Sequence, residues 1–141
     1  MTPKPSSAQS APALAPPLIL VVDDFQDNRE MYAEYLSFSG FRVIEAATGT
    51  EALELAFGRS PDLILMDLSL PGIDGWEATR RLKRDPRTRM TPVIALTGHA
   101  LAGHSQSALD AGCDGFLAKP CLPDALVAKV RQLLEEHQAE S

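Results

Sequence analysis

In this 141-residue chain the residues best equipped for chemistry stand directly behind short apolar runs. Leu18-Ile19-Leu20-Val21-Val22 leads into Asp23-Asp24, Leu63-Ile64-Leu65-Met66 into Asp67, Val93-Ile94-Ala95-Leu96 into Thr97, and Phe116-Leu117-Ala118 into Lys119. Together they offer three carboxylates, a hydroxyl and an ammonium, a set able to hold a hard cation and a phosphoryl group side by side. Carboxylates brought close together raise one another's pKa unless a cation sits among them. Oxygen-only donors with room for water suit Mg2+. Lys119 is either a salt-bridge partner of the aspartates or a contact for a phosphoryl oxygen. Thr97 is either an ordinary strand-end hydroxyl or a second donor to the same group. Each residue alone is a weak signal, and the five in order are a strong one.

The apolar runs are what must position them. Runs this short, without alternation, read as strands buried on both faces of a parallel sheet. In an open α/β sheet ligands bind beyond the carboxyl ends of the strands, so all five residues fall at one edge. Between the strands the pattern predicts helices. One runs from about Asp27 to Ser39, with Met31, Tyr35 and Leu36 on one side and Gly40 as its stop. Phe41–Glu45 reads as the second strand. Thr48-Gly49-Thr50-Glu51 is a capping-box pattern opening a helix that turns Leu53, Ala56 and Phe57 inward. Asp62–Met66 is the third strand, and Asp74-Gly75-Trp76-Glu77 opens a third helix that fades before Asp85-Pro86. Pro92–Leu96, a polar helix from about Gly103 to Ala111, and Asp114–Ala118 follow. A last helix starts near Leu122-Pro123-Asp124 and buries Leu126, Val130, Leu133 and Leu134. Five such units predict a doubly wound, five-stranded parallel α/β sandwich of the flavodoxin-like (β/α)5 type. We expect a Pro/Ala/Ser-rich disordered arm over 1–17, one domain over 18–136 and a tail over 137–141.

Composition narrows the function classes. With 45% hydrophobic and 23% charged residues and a net charge of −6, the chain is an ordinary globular one without a nucleic-acid footprint. No run approaches a membrane span and no signal-peptide pattern opens the chain, so a cytoplasmic protein is expected. Cys113 and Cys121 lack a paired spacing and read as free thiols. Arg80, Arg81, Lys83, Arg84, Arg87 and Arg89 cluster on and after the third helix, where a solvated basic face is favoured over a patch for an acidic partner. Trp76 at the start of that helix reads as a packing residue.

Four segments carry a family resemblance: Val-Val-Asp23-Asp24, Leu-Met-Asp67-Leu-Ser-Leu-Pro-Gly-Ile-Asp-Gly, Ala-Leu-Thr97-Gly-His-Ala, and Gly-Phe116-Leu-Ala-Lys119-Pro120. With them the chain resembles the receiver domain of two-component response regulators, including single-domain chemotaxis-type regulators, over about Leu18 to Glu136. The resemblance implies strand order 2-1-3-4-5 and a stand-alone, phosphorylation-controlled interaction module. Asp67 would be the phosphoacceptor, supplied by a sensor histidine kinase or histidine phosphotransfer protein. Asp24 would contact Mg2+ directly and Asp23 mainly through water; Asp67 and the backbone carbonyl of Ser69 would complete the protein ligands. Thr97 and Lys119 would meet the phosphoryl oxygens, and Lys119-Pro120 would be a cis peptide. Thr97 and Phe116 would form the switch that alters the face of the fourth helix, fifth strand and fifth helix toward a downstream protein target. Such a protein assists its own phosphorylation and dephosphorylation without being a turnover enzyme, works as a monomer or a phosphorylation-dependent dimer, and engages neither nucleic acid nor membrane. Ser69 and His99 occupy the positions that tune water access in this family.

Two other readings compete. A phosphatase of the haloacid-dehalogenase-like kind would need an acid two residues after its nucleophile, where this chain has Ser69. A phospho-independent scaffold is disfavoured because no site position is missing. No Gly-x-x-x-x-Gly-Lys loop is present, which removes a nucleotide hydrolase.

Overall fold

A computed structural model describes residues 15–98 and 111–140. Five strands carry the fold: β1 (Leu18–Val22), β2 (Arg42–Ala46), β3 (Leu63–Asp67), β4 (Val93–Thr97) and β5 (Gly115–Ala118). They are interleaved with α1 (Gln26–Phe38), α2 (Gly49–Arg59) and α3 (Gly75–Arg84), and a C-terminal helix spans Pro123–Glu140. The sheet order is β2-β1-β3-β4-β5, the predicted 2-1-3-4-5, and every pairing is parallel. The expected helix from Gly103 lies outside the described residues except at its last position, Ala111, and so does His99. Of the expected arm, Ala15, Pro16 and Pro17 are described; the Pro16 and Pro17 carbonyls accept hydrogen bonds from Arg42 Nε at 2.8 Å and Arg42 N at 3.0 Å.

The three central strands are apolar up to the Asp67 and Thr97 that end β3 and β4, because each feeds two cores. In β1, Leu20 and Val22 face one cluster while Ile19 and Val21 face the other. Ile64 and Met66 of β3 and Val93 and Ala95 of β4 join the first cluster, with Ala52, Leu53 and Ala56 of α2 and Ala78 and Leu82 of α3. Leu63, Leu65, Ile94 and Leu96 join the second, with Tyr32 and Leu36 of α1 and Leu126, Val130, Leu133 and Leu134 of the C-terminal helix. Helices thus cover both faces, as a parallel sheet requires.

Local sequence rules explain the helix ends. Thr48 Oγ1 accepts from Glu51 N at 3.1 Å while Glu51 Oε1 accepts from Ala47 N at 2.7 Å, so the capping pattern forms with the return bond one residue early. Asp74 Oδ1 accepts from Glu77 N at 2.9 Å and caps α3. Gly40, at φ +97°, takes the left-handed turn that ends α1. On α1 the fully buried aromatic is Tyr32, while Met31 and Tyr35 are half-buried flanks. Phe57 is also half-buried, with the Arg87 guanidinium 4.1 Å above its ring. Both cysteines are free. No helix among the described residues is long and apolar enough to cross a membrane.

Candidate phosphoryl and metal site

The sheet register delivers the chemistry-bearing residues to one edge. Val22 pairs with Met66, Asp67 with Leu96, and Thr97 with Ala118, so the chain leaves four neighbouring strands at nearly one level. Asp23 and Asp24 follow β1, Asp67 ends β3, Thr97 ends β4 and Lys119 follows β5. Carboxylate oxygens of Asp23, Asp24 and Asp67 lie within 4.8 Å of one another. The Lys119 ammonium reaches Asp23 Oδ2 at 3.1 Å and Asp67 Oδ2 at 3.2 Å. Thr97 is buried, and its carbonyl accepts from Lys119 N at 2.7 Å, which ties the last two strand ends together. The Lys119–Pro120 peptide is cis.

Burial differs sharply among the three acids. Asp23 and Asp67 are buried and Asp24 is exposed. Asp23 Oδ1 accepts from Phe25 N at 2.9 Å and Asp67 Oδ1 from Ser69 N at 3.0 Å, which leaves each residue's second oxygen turned to the site. Asp23 Oδ2 is fully buried and has no aligned hydrogen-bond donor; its contact with Lys119 is close enough for attraction but not directed as a hydrogen bond. Burial pushes the Asp23 carboxyl above its usual range, against the downward pull of the Phe25 amide and the Lys119 ammonium, and the Asp67 charge adds to the rise. For Lys119, burial pulls the pKa down, but the Asp23 and Asp67 carboxylates outweigh it and the net shift is upward.

This arrangement fits a small hard cation. The donors are all oxygens, one of them a buried carboxylate oxygen lacking a hydrogen bond, and exposed Asp24 leaves a side open for water. The loop after Asp67 is held by backbone contact. A Cβ on Gly75 would collide with the Asp67 carbonyl and lie 2.7 Å from Leu68 Cα, and one on Gly49 would collide with the Ile73 carbonyl. Both helix starts therefore press on the loop containing Ser69 as only glycine allows.

The receiver domain of response regulators, taken as a family, matches residues 19–131. The chain belongs to that family. The polar-differentiation response regulator DivK of Brucella anthropi is 34% identical over 119 residues, covering 84% of this chain and 97% of its own length. Among solved structures, the CheY-like receiver domain protein of Methanospirillum hungatei superposes with a TM-score of 0.84 at 30% identity, over 89% of this chain and 99% of that one. The Vibrio cholerae chemotaxis protein CheY4 gives a TM-score of 0.81 at 30% identity, over 84% and 98%. Receiver domains generally hold Mg2+ at an acidic group of the kind formed by Asp23, Asp24 and Asp67.

Ser69 is exposed at the start of the loop, and Phe116 is half-buried on β5, opposite Ala95 and packed against the α2/α3 core. Trp76 packs on that same core. Much of the basic cluster is engaged within the fold: Arg80 and Arg81 with Glu77, Arg87 with Asp85, and Lys83 with Asp114. Sequence reasoning missed Arg29, whose Nη1 donates to the Asp23 carbonyl at 2.9 Å and whose Nε meets Glu45 Oε1 at 3.1 Å. Its only sequence signal is its place in the first turns of the helix that follows Asp23-Asp24.

Proposed function

We propose that this receiver, a cytoplasmic protein, accepts a phosphoryl group on Asp67 from a sensor histidine kinase or histidine phosphotransfer protein and switches its affinity for a downstream protein. The observation that carries the proposal is the Lys119 ammonium lying between Asp23 and Asp67 at 3.1 and 3.2 Å. A carboxylate oxygen of Asp67 attacks phosphorus, forming an O–P bond as the N–P bond of the donor phosphoimidazole breaks. The imidazole leaves with that electron pair and takes up a proton from solvent. A carboxylate nucleophile needs no general base, having no proton to lose as it attacks. Lys119 can swing from the carboxylates to an incoming phosphoryl oxygen, and the Thr97 hydroxyl can donate to another, so the work is positioning and charge neutralisation. Bound Mg2+, held by Asp24, Asp67 and the Ser69 carbonyl and by Asp23 mainly through water, would supply the remaining neutralising charge. The half-buried Phe116 ring on β5, paired with Ala95 two residues before Thr97 on β4, supports a local route by which movement of Thr97 reaches the face that includes β5 and the C-terminal helix. The protein then acts as a phosphoacceptor rather than a turnover enzyme.

Intact-mass analysis after incubation with a small acyl-phosphate donor tests this reading. Wild type should gain one labile phosphoryl group only in the presence of Mg2+, and Asp67→Ala should gain none. Equal phosphorylation of Asp67→Ala would overturn the assignment.

A further inference from the structure

Asp24 is the exposed acid of the site, and no hydrogen bond or ion pair to its carboxylate is found among the described residues. By contrast, Asp23 and Asp67 are each fixed by a backbone amide. Among the described residues, the contacts that bear on Asp24 act through its backbone. The Asp23 carbonyl oxygen and the Asp24 amide belong to one planar peptide unit, so fixing that oxygen fixes the plane from which Asp24 departs. The oxygen accepts from Arg29 Nη1 at 2.9 Å, and Asp23 N is anchored on the other side by the Ala46 carbonyl at 3.1 Å. Arg29 is itself held at a second point: its Nε lies 3.1 Å from Glu45 Oε1 on β2, and its side chain is only 16% exposed.

Resting on the metal reading above, we infer that Arg29, braced by Glu45, is a positioning residue that sets the direction of the Asp24 carboxylate toward the cation. The guanidinium suits the task because its rigid fork meets a carbonyl and a carboxylate at once. An ammonium at this position keeps the charge but not the fork.

Positioning and plain electrostatics predict opposite signs, which makes the inference testable. Arg29 is a cation beside a cation site, so on charge alone its removal should tighten Mg2+ binding. If it positions Asp24, removal weakens binding, roughly tenfold by analogy with other outer-shell partners of metal sites. Mg2+ is titrated into 15N-labelled wild type, Arg29→Met and Arg29→Lys while the Asp24 and Phe25 amide signals are followed. Both variants should bind roughly tenfold more weakly, and the Asp24 amide should already be displaced before metal is added. Arg29→Lys keeps the readout should Arg29→Met fail to fold. Unchanged or tighter binding in either folded variant overturns the inference. If wild type binds no Mg2+, the metal reading itself fails; if wild type binds and the variants bind equally, only the role of Arg29 fails.

Discussion

Replacing Lys119 with methionine should convert the site from a balanced one into a strained one, and the size of the effect follows from the geometry. The ammonium lies 3.1 Å from Asp23 Oδ2 and 3.2 Å from Asp67 Oδ2. At an effective dielectric of 20 each contact is worth about 5 kcal/mol of attraction. Desolvation of the ammonium is relieved in the variant, and water or protonation of Asp23 softens the remaining repulsion. The net loss should therefore fall at the low end of the range for breaking a buried pair, about 3 kcal/mol. For a chain of this size that corresponds to a fall in Tm of roughly 10 °C at pH 7. The pH dependence carries the sharper test. The folded-state pKa of Asp23 is raised above the unfolded value near 3.8. Stability from such a group is fully present below the unfolded pKa and lost as pH rises through the folded one. Without Lys119 one of the influences lowering that pKa is gone, so the loss extends to higher pH. The Tm gap between wild type and Lys119→Met should be small near pH 4 and widen toward pH 7. Mg2+ should then raise the variant's Tm more than the wild type's, because the divalent ion meets three carboxylates with no ammonium among them. Thermal unfolding monitored by circular dichroism across this range, with and without Mg2+, decides it. An unchanged Tm at pH 7, or a gap independent of pH, would refute the electrostatic account.

Gly75→Ala places a methyl group against the Asp67 carbonyl and Leu68 Cα. It should cost about 1–2 kcal/mol in urea unfolding, overpacking outweighing alanine's better helix propensity, while slowing Asp67 phosphorylation disproportionately; wild-type behaviour in both would show that the loop is not braced there. Asp114 Oδ2 accepts from Lys83 Nζ and from Val93 N, each at 2.8 Å. Asp114→Ala should lower stability by roughly 1–2 kcal/mol and leave Mg2+ affinity unchanged, since it lies before β5, at the far end of the strand from the site. Burial pushes the Cys113 thiol up to about 11, so a thiol reagent at pH 8 should leave it unlabelled in the native protein and label it on unfolding. Rapid native labelling would contradict its burial.

The sheet and its edge were legible because buried parallel strands must be apolar on both faces, which leaves the first polar residue conspicuous. β2 was harder. It lies at the edge and mixes exposed with half-buried positions, so it lacks the continuous apolar run of the others; its span came out one residue early, at Phe41–Glu45 against Arg42–Ala46, as did those of β3 and β4, whose last positions are the polar Asp67 and Thr97. On α1 the helical period marked a face but not its centre, and Tyr32 rather than Tyr35 proved to be the fully buried ring. The gathering of Asp23, Asp24, Asp67 and Lys119 followed from strand ends alone. The Arg29–Glu45 brace did not, because it joins residues 16 apart on different elements and neither periodicity nor capping rules connect them. The basic cluster misled in a similar way: a row of like charges along the sequence gave no hint that Lys83 reaches Asp114, 31 residues on.

The common level at which the strands deliver their residues limits how such a site can vary. One residue inserted into β1, β3, β4 or β5 would carry its functional group about 3.3 Å along the strand and turn the core-facing side chains to the wrong layer. Deletion would do the same in reverse. The geometry of the reacting groups is thus locked to the packing of the two cores, and change in length is confined to the stretches beyond the strand ends. Side chains on those stretches are then the ones free to tune the centre, as proposed for Arg29 and Asp24, without shifting the level at which the strands deliver it.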